Sequence, residues 1–360
     1  MKRYNKEKIR KFVEAVFLQA GVAAKDAAQA SEVIIQADSS GVETHGLARL
    51  KPYMGRYRNG GMNLTPNIHQ INDSDVVIAL DGDNGCGLLN GPYAMKRCIE
   101  AAKKYGAGLV TVNHSSHFGC GNYYGWNFAR EGLIGIIFTN TAPLVSPTGG
   151  KDRLFGTNPL TIAIPAGKKD PVVLDMATTV VSLGKIQVKA LAGESIPPEW
   201  AKDKDGNPTT DAAEALEGTL QPIAGYKGYG LALIIDIFCS VLAQASFGKE
   251  LMQMNEIYTT KPEGLGQFMM AIDPSKLMPM EFFERRMEEY IDFIKCSSKA
   301  PGTEEILVPG EIEFRKFREI EENGIPVRDE LGVQLVELCT EMGMNPNGAT
   351  EFGKLLEQIC

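Results

Sequence analysis

The sequence predicts an α/β fold, because short apolar runs suited to buried strands alternate with helically periodic stretches through the middle of the chain, while both ends read as helical. The 360 residues suffice for one large or two ordinary domains, and a hydrophobic share of 44% supports a full core. Ile9, Phe12, Val13, Val16 and Phe17 recur at helical spacing over 5–20, and Gly21 ends the pattern. Ala27, Ala30, Val33, Ile34 and Ala37 place a second helix over 25–38. In the stretch 41–49, Thr44 suits an N-cap, which makes His45 the first helical residue and sets Arg49 on the same face four residues on. A helix start disfavours added positive charge and welcomes an anion, so His45 is expected to titrate near neutrality beside an anion site. Gly60 and Gly61 close that helix.

The pattern then changes. Residues 76–80 read as a buried strand, and Pro92 starts a helix that Gly106 ends. Strands are expected over 109–112 and 133–138, with a helix over 123–130 between them. A long Pro-, Gly-, Ser- and Thr-rich loop, 139–159, suits service to a site. Strands at 160–164 and 172–174 and a helix at 180–190 follow, then a turn-rich surface excursion over 193–218. A glycine-rich turn, 225–230, precedes an apolar helix over 231–242, and 267–272 returns to the sheet. Charged helices fill 280–295, 311–323, 329–342 and 349–358.

The net charge of -8, without a basic block, argues against nucleic-acid binding and makes local cations such as Arg49 and Lys227 the means of holding an acidic ligand. No apolar run is long enough to span a membrane and no signal core opens the chain, so a cytoplasmic location is expected. Seven scattered cysteines with no C-x-x-C pair fit reduced thiols. Only four histidines are present (His45, His69, His114 and His117), so candidates for a proton shuttle near neutral pH are few.

Several constellations carry chemistry. His114, His117 and Cys120 are spaced by threes, but this matches no established zinc spacing; a metal-dependent hydrolase or lyase stands as an alternative, beside a proton-transfer or substrate-contact role for His117. Lys227 among the glycines of 225–230, before a helix, suits a phosphate or carboxylate. Asp175, ending an apolar strand, either holds ribose hydroxyls or caps the next helix. The P-loop, the G-x-G-x-x-G fingerprint and the G-x-S-x-G elbow are all absent, so an ordinary Rossmann domain is not indicated.

Taken in order, residues 41–50, Ser116-His117-Phe118-Gly119, 155–160, Leu174-Asp175-Met176-Ala177-Thr178, 205–211, 225–233 and Pro309-Gly310-Glu311 resemble the type 2 malate/L-lactate dehydrogenase family, which includes sulfolactate, ureidoglycolate and diketogulonate enzymes and piperideine-carboxylate reductases. The resemblance implies the family's mixed-sheet, three-layer α/β core of the sulfolactate dehydrogenase type, distinct from a Rossmann domain. It implies a helical N-terminal region (1–70) carrying His45, a cofactor- and substrate-binding core (71–304), and a C-terminal helical region (305–360) packed on the first. It also implies a homodimer with sites near the interface, and hydride transfer between NAD or NADP and C2 of a small 2-oxo or 2-hydroxy acid. His45 is then the expected proton donor, Arg49 the carboxylate partner, and His117 matches a histidine treated as catalytic in some relatives. Substrate contacts are expected from Thr44, Arg49, Ser116 and Thr157, with no metal ligand. Cofactor contacts are expected from Thr139, Asn140, Asp175, Met176, Ala177, Lys227, Pro309, Gly310 and Glu311. Thr44 stands where Ser is common, Ser116 where Asn is common, and Asn113-His114 replaces a frequent Arg-Asn, which leaves the substrate open. Ureidoglycolate oxidation, cyclic-imine carboxylate reduction and non-catalytic nucleotide binding are the alternatives.

Overall fold

A computed structural model of the chain describes residues 1–344 and 349–360. It opens with β1 (Lys2–Tyr4), α1 (Lys6–Gln19) and α2 (Ala24–Ser39). The Asn5 side chain caps α1 by accepting from the Lys8 amide, and the five residues that set its periodicity are fully buried. Two 3-10 turns, Glu43–His45 and Leu47–Arg49, lead into α3 (Leu50–Arg58). Next come β2 (His69–Gln70), β3 (Val77–Asp81), α4 (Gly87–Tyr105), β4 (Ala107–Ser115), α5 (Gly121–Arg130), β5 (Ile134–Thr139), β6 (Leu160–Ile164) and β7 (Val172–Met176). The excursion comprises α6 (Leu183–Ala192), β8 (Ala201–Lys202), α7 (Ala212–Glu217) and β9 (Thr219–Leu220). The chain finishes with α8 (Tyr226–Cys239), β10 (Leu265–Ile272), α9 (Met280–Lys295), α10 (Glu311–Asn323), β11 (Ile325–Val327), α11 (Asp329–Glu341) and α12 (Phe352–Ile359).

The central sheet runs β2-β3-β4-β10-β5-β6-β7, with β3 and β4 parallel and the other neighbours antiparallel. Successive residues of β10 face opposite sides, as strand geometry requires. Met269 and Ala271 join the core that holds Ala94 and Cys98 of α4, while Phe268 and Met270 pack with Ile235 and Cys239 of α8. The sheet is therefore the middle of three layers, and its mixed strand directions separate it from a Rossmann domain. The two ends of the chain meet beside it. Lys2 pairs with Val327 and Tyr4 with Ile325, and the rings of Phe12 and Phe352 meet edge to face at 5.2 Å.

Two helices start earlier than the sequence pattern predicts. Pro92 lies inside α4, where it forfeits one backbone bond, because the helix already begins among glycines that let it approach the chain closely. A Cβ on Gly87 would lie 2.3 Å from the His117 carbonyl oxygen. Similarly, α8 begins at Tyr226, so the segment 225–230 is a helical first turn and not a loop.

Candidate active site

The loop 43–49 is built differently from the single capped helix its spacing suggests. Gly46, with φ -93° and ψ -136°, breaks it into two 3-10 turns, and Thr44 caps nothing. The cause is the carboxyl of Asp38, buried at the end of α2, whose Oδ2 accepts from the Leu47 amide at 2.9 Å. A Cβ on Gly46 would lie 2.1 Å from Asp38 Oδ1, so only glycine fits beside that group. The Thr44 hydroxyl instead meets His45 Nδ1 at 2.9 Å. Arg49 folds back, Nε donating to the Thr44 carbonyl at 2.6 Å and Nη1 to Asn255 Oδ1 at 3.2 Å.

Burial raises the Asp38 carboxyl to about 8, against the Leu47 amide, which lowers it. The folded protein thus favours the protonated acid. The associated stability is complete below the unfolded value of about 4 and is lost as pH rises through about 8. Asp38→Asn is expected to flatten that decline, read as denaturant midpoints across this pH range; an unchanged slope would remove Asp38 as its source.

His45 and Arg49 open on a cavity of about 750 Å³, within the usual range of roughly 300–1,000 Å³ for small-molecule sites. Thr44 and His117 share the wall, and the rings of His45 and His117 stack at 5.3 Å with 29° between planes. Arg49 is the one Lys or Arg among the described residues lining it. The histidines are half-buried, open to the cavity and enclosed by protein elsewhere. That enclosure, with a smaller contribution from Arg49, holds His45 down to about 4, which corrects the expectation of a ring titrating near neutrality. His117 is pushed well below its ordinary value by burial first, then by His45 and Arg49.

From the sheet side, Thr139, Asn140, Thr157, Asp175, Met176 and Ala177 line the cavity, joined by Pro309 and Gly310. Several of these have their polar groups committed within the chain. Asn140 donates to the Ser246 carbonyl and accepts from the Gly266 amide, and Thr139 donates to the Gly266 carbonyl. Asp175 accepts from the Asn122 amide at 2.8 Å and the Thr161 hydroxyl at 2.7 Å.

Three expected residues lie off the cavity wall. Ser116 is buried, its hydroxyl donating to the Gly85 carbonyl and accepting from the Gly87 amide, because α4 packs so closely on this loop. Lys227 points to solvent from the first turn of α8. Glu311 pairs with Lys295, and Glu313, two residues on, takes the wall position. The spacing of His114, His117 and Cys120 does not gather a metal site. His114 Nδ1 meets Asp81, His117 Nδ1 meets Tyr53, and Cys120 Sγ donates to Asn122. Among the described residues, no three His, Cys, Asp or Glu side chains are placed to share an ion.

Sequence reasoning missed Tyr53, Arg56, Asn255 and Glu263. Tyr53 sits four residues after Arg49, the same spacing that drew attention to His45 and Arg49, and was legible in that sense. Glu263 is 2% exposed on the cavity wall, its Oε2 accepting from the His117 amide at 3.3 Å. Burial lifts its carboxyl to about 7, against Arg56, which lowers it. Nothing local in the sequence ties it to residues near position 50.

Residues 4–336 match the sequence profile of the malate/L-lactate dehydrogenase family. The chain belongs to that family. A malate dehydrogenase of Pyrococcus abyssi is 39% identical over 350 residues, 95% of either chain. The sulfolactate dehydrogenase structure from Methanocaldococcus jannaschii superposes with a TM-score of 0.89 at 37% identity, covering 96% of this chain and 98% of that one. A ureidoglycolate dehydrogenase (NAD(+)) of Escherichia coli O157:H7 is 32% identical, over 93% of this chain and 95% of its own. As a malate/L-lactate dehydrogenase family member, the chain has a mixed, non-Rossmann sheet with helices contributed by both termini.

Proposed function

We propose that the chain is an NAD(P)-dependent dehydrogenase that interconverts a small 2-oxo acid and its 2-hydroxy acid, of the malate and L-lactate kind. The carrying observation is the placement of His45 and Arg49 side by side on one cavity wall with no other Lys or Arg lining it among the described residues. Two further features suit a nicotinamide dinucleotide. Asn122 Nδ2 is buried on the wall without a hydrogen-bond partner, and α6 begins at the rim with no side-chain cap over its first amides. Asp175, Met176, Ala177, Pro309 and Gly310 would hold the cofactor, which supplies the hydride when bound.

The chain's own residues do the rest. Arg49, its Nε and Nη1 fixed by Thr44 and Asn255, presents its remaining donor edge to the substrate carboxylate. His45 gives a proton to the carbonyl oxygen in reduction and takes it back in oxidation. Burial is the larger cause that holds the His45 ring neutral and the Arg49 charge the smaller; an anion seated on Arg49 offsets the latter, so substrate binding favours proton uptake. Arg49→Lys is expected to raise KM about tenfold or more with a smaller change in kcat, since a point charge replaces a planar fork; steady-state kinetics check the split.

Oxaloacetate, pyruvate and sulfopyruvate, with a cyclic imine acid beside these 2-oxo acids, each crossed with NADH and NADPH, test the reading. Nicotinamide absorbance lost with none of them would overturn it in favour of non-catalytic nucleotide binding.

The active form we infer is a homodimer formed across α8. Leu231, Ile234, Val241 and Leu242 on and after this helix are 45%, 51%, 67% and 51% exposed, an apolar face that favours association. Ile234→Asp is expected to give a species of half the native mass by sedimentation. A reducing cytoplasm fits the seven cysteines, all of them free thiols. No helix is long and apolar enough to cross a membrane among the described residues.

A further inference from the structure

The two stacked histidines have unlike surroundings, and the difference assigns them unlike work. His117 Nδ1 receives the Gly119 amide at 3.3 Å and lies 2.7 Å from the Tyr53 hydroxyl. A backbone N–H donates only, so Nδ1 must be an acceptor and the ring proton must sit on Nε2. Tyr53 alone would not force this, because its hydrogen can swing to the His117 carbonyl at 3.2 Å and leave the phenol oxygen to accept. The amide has no such freedom. Protonating His117 would set two N–H groups against each other.

His45 has no such constraint. Its Nδ1 faces the Thr44 hydroxyl, which donates to a bare nitrogen and accepts from a protonated one with equal ease. The ring passes between neutral and cationic forms without breaking a contact.

We propose that His117 works as a neutral hydrogen-bond donor, locked in the Nε2–H tautomer by Gly119 and Tyr53, which steadies the developing oxyanion while His45 alone moves the proton. This rests on the reading of the cavity as the site of 2-oxo acid reduction. In that step hydride adds to C2, the carbonyl π electrons pass to oxygen, and the proton leaves His45 for that oxygen. The Nε2–H of His117 only shares its hydrogen. Tyr53 is a positioning residue, holding the ring's back edge so that Nε2 faces the cavity.

The charged and titratable groups around His117 agree with this division. His45 and Arg49 face it from the 3-10 turns, Tyr53 from α3 and Glu263 from the segment before β10. The two cationic or potentially cationic neighbours oppose a second positive charge. Burial keeps the Tyr53 phenol protonated far above neutral pH, so its hydrogen stays available to Nδ1.

Long-range proton–nitrogen NMR of the ligand-free protein, labelled at histidine, tests the assignment without any turnover. Only four histidines are present, and the spectrum of His117→Gln identifies the signal. The expected result is a single Nε2–H tautomer that does not titrate from about pH 5.5 to 9 and that persists in Tyr53→Phe, where the Gly119 amide still donates to Nδ1. A titrating His117, or a proton on Nδ1, overturns the proposal even if the reductase assignment stands. Should no 2-oxo acid be reduced, the spectrum still decides the tautomer. In active enzyme, His117→Ala is expected to lower kcat about 10²- to 10³-fold, whereas His117→Gln, whose amide nitrogen takes the place of Nε2, stays within about tenfold of wild type. Equal losses in the two variants would also overturn it, since a proton-transferring ring is rescued by neither.

Discussion

Replacing His45 with alanine is expected to lower kcat for 2-oxo acid reduction by about 10²- to 10⁴-fold, the usual contribution of a general acid. KM should change little, because Arg49 retains its contacts with Thr44 and Asn255 and still receives the carboxylate. The pH dependence gives an independent sign. With His45 held down to about 4, the protonated donor is scarce above that value. The wild-type kcat/KM for reduction should then fall about tenfold per pH unit as pH rises, while kcat/KM for oxidation, which uses the neutral ring as base, stays level. In His45→Ala the reduction profile loses this dependence. A full-activity variant, or an unchanged profile, would remove His45 from proton transfer.

The second large effect concerns Arg56, which never touches the cavity. Its guanidinium is fully buried and donates from Nη1 to the Glu256 carbonyl at 2.9 Å and from Nη2 to the carbonyls of Gly61 and Lys261, with Nε 3.5 Å from Glu263 Oε1. It fastens the segment 253–263 to α3, and Gln253, Met254, Asn255 and Glu263 of that segment form cavity wall. Removing it leaves several carbonyls without donors and a carboxyl without its cation. Arg56→Ala is therefore expected to cost about 3–5 kcal/mol, measured by denaturant unfolding. Glu263→Gln in the same background should recover part of that loss, because the stranded charge is gone. A cost under about 1 kcal/mol would mean that the pair and its carbonyl bonds contribute no more than a surface contact.

What the sequence revealed depended on the range of the interaction that fixed it. The helices and strands whose faces are buried by periodicity, such as α1 with Ile9 to Phe17 or β10 with its alternating Phe268 and Met269, were readable because each residue's fate follows from its neighbours in the chain. The loop at 43–49 was located, but its shape was not, because a carboxyl from the preceding helix, Asp38, decides where the backbone turns. The low affinity of His45 for a proton was hidden for a similar reason: it comes from enclosure by segments distant in sequence. Pro92 and the glycines at 225–230 misled for the opposite reason. Local preference said boundary, and close packing against the His117 loop or an extra helical turn overrode it. Tyr53, Arg56 and Glu263 owe their places to contacts made across as many as two hundred residues, which spacing rules do not reach.

The pairing of β1 with β11 bears on how the protein comes into being on the ribosome. The helices that carry and brace His45 share their core with α11 and α12, and Lys51 and Arg58 on α3 pair with Glu337 and Glu341. At roughly 5–20 residues per second, the nascent N-terminal helices wait on the order of tens of seconds for partners that lie far along the chain. Until then the part of their apolar surface that α11 and α12 cover stays open. Before α11 arrives, α3, which follows the His45 loop, lacks the ion pairs of Lys51 and Arg58 with Glu337 and Glu341.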